Sequence, residues 1–243
     1  MHFYFLCLAL ALIQAVPTLS DPIAQYREAA KKWDKEIAAL EALDQSQEDP
    51  EHVILFLGSS SIRLWEEIGD DLAPWPTIRR GYGGARFSDL AVYVDRLICN
   101  HQFDAAVLFV GNDISGSDQD KEPTEVLRLF DYVVSRVRVH SNSAQVMFIA
   151  ITPTPSRFHV WSEIQKVNAL IEQRCQEDDR LHFISTESEF LGPSGKPIDE
   201  LFRADRLHLN RDGYAVWSKI IKAKFDQVLP TNHSSTASRN GSN

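Results

Sequence analysis

With 243 residues, 44% of them hydrophobic, the chain has material for one sizeable α/β domain but not for two well-cored domains with linkers. A formal charge of −9 without a basic run argues against a nucleic-acid or anionic-membrane surface, since both need clustered Lys and Arg.

The chain opens on an almost unbroken apolar run from Phe3 to Ile13, followed by the small residues Ala15, Thr18 and Ser20. That run is shorter than the roughly 20 residues that span a bilayer, yet long enough for the core of a signal peptide. Residues 1–20 are therefore expected to be a signal peptide cleaved near residues 15–20, giving a secreted, extracellular protein with no stable membrane insertion. Cleavage would remove Cys7 and leave Cys99 and Cys175. Both close predicted helices on one face of the sheet with a third helix between them, so two separate thiols are expected rather than a disulfide.

Residues 21–43 carry Tyr26, Ala30, Trp33, Ile37 and Leu40 at helical spacing, with Asp21 and Pro22 as a start signal. A polar link then leads to short, continuously apolar runs over residues 53–57, 105–110, 146–151 and 181–184, with a further short strand over residues 77–79. Strands apolar on both faces belong to a parallel sheet covered on both sides. The intervening patterns predict helices over residues 87–98, 124–139, 161–175 and 211–228. Alternation of strand and helix means a doubly wound α/β sandwich with a five-stranded parallel sheet, placing one domain over residues 21–229. Residues 230–243 turn to Asn, Ser, Thr and Gly and are expected to be a disordered polar tail. Sequons at Asn232 and Asn240 make it a candidate for glycosylation, hence a glycoprotein.

In open parallel sheets, sites form at the carboxyl ends of the strands. Gly58-Ser59-Ser60-Ser61-Ile62-Arg63 follows the first strand, Gly81-Tyr82-Gly83-Gly84 the second, and Gly111-Asn112-Asp113 the third. Asp205-Arg206-Leu207-His208 precedes the last helix. Taken singly, a serine-rich turn is ordinary packing, a Gly-Gly pair an ordinary turn and Asp-x-x-His a helix cap beside a surface histidine. Four such clusters in this order, each at the same edge, point to shared chemistry. No Gly-Lys-Ser/Thr follows any glycine cluster, which argues against a phosphate-binding P-loop.

On these residues the chain resembles the SGNH, or GDSL-type, hydrolase superfamily from about Trp33 to Trp217, and most closely its secreted members with a Gly-Ser-Ser-Ser-Ile-Arg-Leu-Trp block. The resemblance implies a flavodoxin-like three-layer α/β/α fold. It implies Ser60 as nucleophile, His208 as base and Asp205 as the carboxylate that orients it, with Ser60, Gly84 and Asn112 as oxyanion donors. Residues 152–161 look like the loop that follows the fourth strand in these relatives, making Arg157, His159 and Trp161 candidates to line the substrate site. No cofactor and no metal are expected. The implied activity is hydrolysis of a carboxylic ester with a short acyl group such as acetyl, the partner being a small-molecule, glycan or lipid ester. One block departs from the pattern: Val110-Gly111-Asn112-Asp113 stands where the family usually has Gly-x-Asn-Asp, which reads as one residue short and would shift the Asn112 amide. A catalytically impaired glycan- or lipid-binding protein on the same fold is therefore the alternative, and phosphate binding at the Gly58–Ser61 turn a third. His52, His101, His140 and His182 read as surface or strand-end residues.

Overall fold

A computed structural model describes residues 21–230; the leader reading and both sequons lie outside the described residues. Five parallel strands, β1 (Val53–Gly58), β2 (Thr77–Gly81), β3 (Phe103–Phe109), β4 (Gln145–Ile149) and β5 (Leu181–Ile184), form one sheet in the order β2-β1-β3-β4-β5. The interior strand β1 pairs Leu57 with Arg80 on one side and with Leu108 on the other.

All six β1 residues are buried, as a strand covered on both faces requires. Val53, Leu55 and Leu57 join Ala106, Leu108, Val146 and Phe148 on one face, beneath α1 (Asp34–Asp44), α2 (Phe87–Ile98), α3 (Pro123–His140) and α4 (Trp161–Gln176). Ile54 and Phe56 join Ala105, Val107, Met147 and Ile149 on the other, where α5 (Arg211–Val228) contributes Trp217, Ile221 and Phe225. Each fully buried Leu, Ile or Phe is worth about 1.5–3 kcal/mol of transfer free energy, so both layers are firmly held. The result is the expected three-layer α/β/α sandwich. Among the described residues, no helix is long and apolar enough to cross a membrane.

Three readings need correction or refinement. The N-terminal helix is not continuous: a 3-10 turn at Lys31–Trp33 interrupts it, where Trp33 turns edge-on to Tyr82 at 5.6 Å between ring centroids. β3 begins earlier than the apolar run, and β4 runs over Gln145–Ile149 rather than to residue 151, because the ladder admits polar residues at its start. Of the two readings for His101, surface or strand end, the second holds: it stands two residues before β3 and is 1% exposed. It lies between Asp49, 2.8 Å from Nδ1, and Asp44, 3.2 Å from Nε2, with buried Arg80 donating from Nε to Asp44 at 2.7 Å. This network ties the end of α1 to β2, and so to the glycine loop that follows. Cys99 is exposed, Cys175 is buried, and both are free thiols.

Candidate active site

The chain runs from β1 outward to β2 and then back across to β3, so the sheet order reverses between β1 and β3. At such a switch point the loops at the strand ends diverge and leave a crevice. Gly58 closes β1 with φ +151°, a conformation that L side chains rarely adopt, and a Cβ there would run into the Phe109 carbonyl of β3. The Ser59 N–H donates to that same carbonyl at 3.0 Å. The chain then turns at once into the helical turn Ser60–Arg63, whose opening N–H groups have no helical acceptor and whose first two residues line the crevice. From α5, the Tyr214 hydroxyl donates to Ser61 O at 2.8 Å and braces the turn.

His208 reaches the same point from a loop fixed at both ends. Arg203 N–H donates to His208 O at 2.7 Å, and Arg203 Nε donates to Leu209 O at 3.0 Å. Asn210 caps α5 by accepting from Gly213 N–H at 3.0 Å, while its own Nδ2 donates to Glu200 O at 2.6 Å. The ring that results lies between two oxygens: Nε2 is 2.9 Å from Ser60 Oγ, and Nδ1 is 2.7 Å from Asp205 Oδ2. The other Asp205 oxygen accepts the backbone N–H groups of Leu207 and His208, each at 2.9 Å. Burial pushes the Asp205 carboxyl up, but the hydrogen bonds from His208 and Leu207 outweigh it and leave the group at about 2. An ionised carboxylate, an imidazole and a hydroxyl thus form one hydrogen-bonded chain.

On the far side of Ser60 the glycine loop and the end of β3 converge. Asn112 Nδ2 lies 3.9 Å from where a Cβ on Gly84 would stand, and it donates to Ala85 O at 2.9 Å. Despite the shortened third block, Asn112 lines the same crevice as Ser60. Val110 fills the position after β3 as a buried core residue, and the Asn112 side chain enters the crevice with Ser60. Ile151 is pinned beside it by the buried Asn168 amide, which accepts from Ile151 N–H at 2.9 Å and donates to Ile151 O at 3.0 Å. Thr152 Oγ1 accepts from Trp217 Nε1 at 3.1 Å. The cavity against Ser60 is small, about 30 Å³, with Phe109, Ile151, Ile164 and Trp217 among its walls.

The candidates on the loop after β4 have three different fates. Arg157 borders the cavity but turns its guanidinium inward, donating to Gly111 O at 2.7 Å and to Asn112 Oδ1 at 2.6 Å. His159 is exposed and does not line the cavity, its ring packed on Gly116, whose φ of +87° suits only glycine comfortably. Trp161 is not a lining residue: it is 7% exposed and packs in the core under α4, because it is the first residue of that helix and points to the sheet.

Two contributors, Asn168 and Asp120, are not signalled in the sequence, and Asp113 figures there only as the last residue of its block. Asn168 sits one step beside the apolar stripe of α4, and nothing local marks its pairing with residue 151. Asp113 is wholly buried behind the glycine loop, accepts from Phe87 N–H at 2.8 Å, and is raised to about 7 chiefly by loss of solvent. Asp120 folds the loop under His159. Burial pushes this carboxyl up, but the N–H groups of Ser115 and Gly116 and two serine hydroxyls more than offset it, leaving about 2. Among the described residues, no group of three or more His, Cys, Asp or Glu is placed to hold a metal ion.

A model of the GDSL-like lipase/acylhydrolase family matches residues 57–216, well over half of the chain and inclusive of every loop described above. No curated protein matches the sequence. Among solved structures, a Streptococcus pneumonia protein described provisionally as a platelet activating factor superposes with a TM-score of 0.69 at 21% identity, covering 83% of this chain and 98% of its own. A GDSL-like lipase from Bacteroides thetaiotaomicron gives 0.63 at 17% identity, over 82% of this chain and 98% of its own. A family 3 carbohydrate esterase from Talaromyces cellulolyticus gives 0.57 at 16% identity, over 72% and 96%. At these identities the likeness is one of fold.

Proposed function

The chain belongs to the GDSL-like lipase/acylhydrolase family, and from that premise we propose that it is a serine esterase acting on short-chain, acetyl-type carboxylic esters. The observation that carries the reading is the hydrogen-bonded chain from Ser60 Oγ through His208 to Asp205. A serine hydroxyl is a poor nucleophile until a neighbouring base takes its proton. In this scheme His208 Nε2 accepts that proton as Ser60 Oγ bonds to the ester carbon. Asp205 holds the proton on Nδ1 and stabilises the imidazolium. The carbonyl oxygen becomes an oxyanion that accepts from the N–H groups of Ser60 and Gly84 and from Asn112 Nδ2. Collapse expels the alcohol with the proton from His208, and water repeats the sequence on the acyl-enzyme, releasing the acid.

The size of the cavity supports the acyl group. The cavity beside Ser60 is small and walled by Phe109, Ile151, Ile164 and Trp217, which favours a short apolar acyl chain. The fungal structural neighbour is by its own description a carbohydrate esterase, which makes acetylated glycans the first natural substrates to try. The leader reading of residues 1–20 puts the reaction outside the cell, and protein recovered from the medium of its host should then begin between residues 16 and 21.

On p-nitrophenyl esters of increasing length, kcat/KM is expected to be highest for acetate and to fall by about tenfold or more by butyrate, since forcing extra methylenes into a filled site costs about 1–3 kcal/mol. A profile that rises towards octanoate would sink the short-acyl assignment. Total inertness, together with no covalent labelling of Ser60 by a fluorophosphonate, would sink the esterase reading and favour the binding-protein alternative.

A further inference from the structure

The Asn112 side chain poses a problem that its own backbone does not solve. A primary amide presents a donor at one end and an acceptor at the other, and the two ends have nearly the same shape. Rotated by half a turn, Asn112 would aim Oδ1 at the developing oxyanion and repel it. Two contacts decide the matter. Ala85 O can only accept, and it takes one Nδ2 hydrogen at 2.9 Å. The Arg157 guanidinium can only donate, and it meets Oδ1 at 2.6 Å. The second Nδ2 hydrogen is left for the crevice beside Gly84.

Arg157 is itself immobilised. Its other terminal nitrogen donates to Gly111 O at 2.7 Å, so the guanidinium bridges the backbone and side chain of adjacent residues at the end of β3. Its loop is anchored in turn to the His208 segment, with Ser156 N–H donating to Arg206 O at 3.0 Å. A fixed cation on Oδ1 also polarises the amide, which strengthens the N–H at its opposite end as a donor. Sequence reading cast Arg157 as a substrate contact, but its hydrogen bonds run inward, to the oxyanion side of the site.

We infer that Arg157 is a positioning residue of the oxyanion site, fixing and polarising the Asn112 amide rather than binding substrate. The inference rests on the reading of Asn112 as an oxyanion donor, and a double-mutant cycle keeps the two apart. With p-nitrophenyl acetate, Asn112→Ala should lower kcat by about 10²–10³-fold. Arg157→Met, which keeps bulk and removes every donor, should lower kcat by roughly 10–100-fold with KM within about twofold, as expected when a reacting group is slightly misplaced. In the Asn112→Ala background the same change should cost less than about threefold, because the amide it serves is gone. Arg157→Lys retains charge but not the two-pronged geometry, and should fall between wild type and Arg157→Met. If Arg157→Met is not recovered folded, Arg157→Lys is carried through the same cycle and should again lose its effect without Asn112. Equal losses in both backgrounds, or a change confined to KM, would overturn the positioning role. An Asn112→Ala enzyme with unchanged kcat would instead remove the oxyanion assignment on which it stands.

Discussion

Replacement of Ser60 by alanine is expected to lower kcat by about 10⁶-fold while the protein stays folded. The magnitude follows from what the hydroxyl alone supplies. His208 Nε2 lies 2.9 Å from Ser60 Oγ, while the neighbouring Ser59 is 2% exposed. Residual turnover of about 10³–10⁴-fold over water can survive through the oxyanion donors alone. Stability should change by no more than about 0.5–1 kcal/mol, since the lost group is only partly buried and water can take its place at the ring. Steady-state kinetics and intact mass after fluorophosphonate treatment check both points. An alanine variant within tenfold of wild type, or one that still takes up the label at the same rate, would exclude Ser60 as the nucleophile.

The second large effect is expected at Asp205, where asparagine should reduce kcat by about 10⁴-fold with KM little changed. Asp205 Oδ1 accepts two backbone N–H groups, and an asparagine oxygen can keep both, so the loop geometry survives. At the other position a carboxylate oxygen that accepts from His208 Nδ1 becomes an NH₂ that donates. The imidazole must then carry its proton on Nε2, facing Ser60, and can no longer act as its base. The same argument predicts the pH dependence. Asp205 is held at about 2, so it remains ionised as pH falls through the acid range, and its own protonation does not set the acid limb of the rate profile. A D205N enzyme within about tenfold of wild type would mean that some other group orients the ring.

Much of this was open to reading because it is local. The helices over residues 87–98 and 211–228 agree residue for residue with expectation, since each carries a clean apolar stripe and a strong start: Asp89 receives the Arg86 N–H before one, and Asn210 caps the other. The strand cores were equally plain, as residues apolar on both faces have no other home in a covered sheet. Ser60, His208, Asp205 and Asn112 were found through blocks of adjacent residues, and the fold brings those blocks together. What escaped detection depends on pairs of residues far apart in sequence. Asn168 acts as a substitute strand for residue 151, and Arg157 turns away from solvent to meet residues 111 and 112. Trp161 was misplaced for a related reason: it stands at a loop–helix boundary, and only the direction of the first turn of α4 tells which side of it is core.

The single bond between Ser60 and His208 joins parts of the chain separated by 148 positions. No nascent or truncated polypeptide that lacks its last fifth can possess the reactive pair, whatever sheet it has already assembled. The proposed chemistry thus requires the segment that carries His208, which leads directly into α5 and its buried Trp217, Ile221 and Phe225. A fluorogenic ester added during refolding would consequently report the moment at which Ser60 and His208 come together.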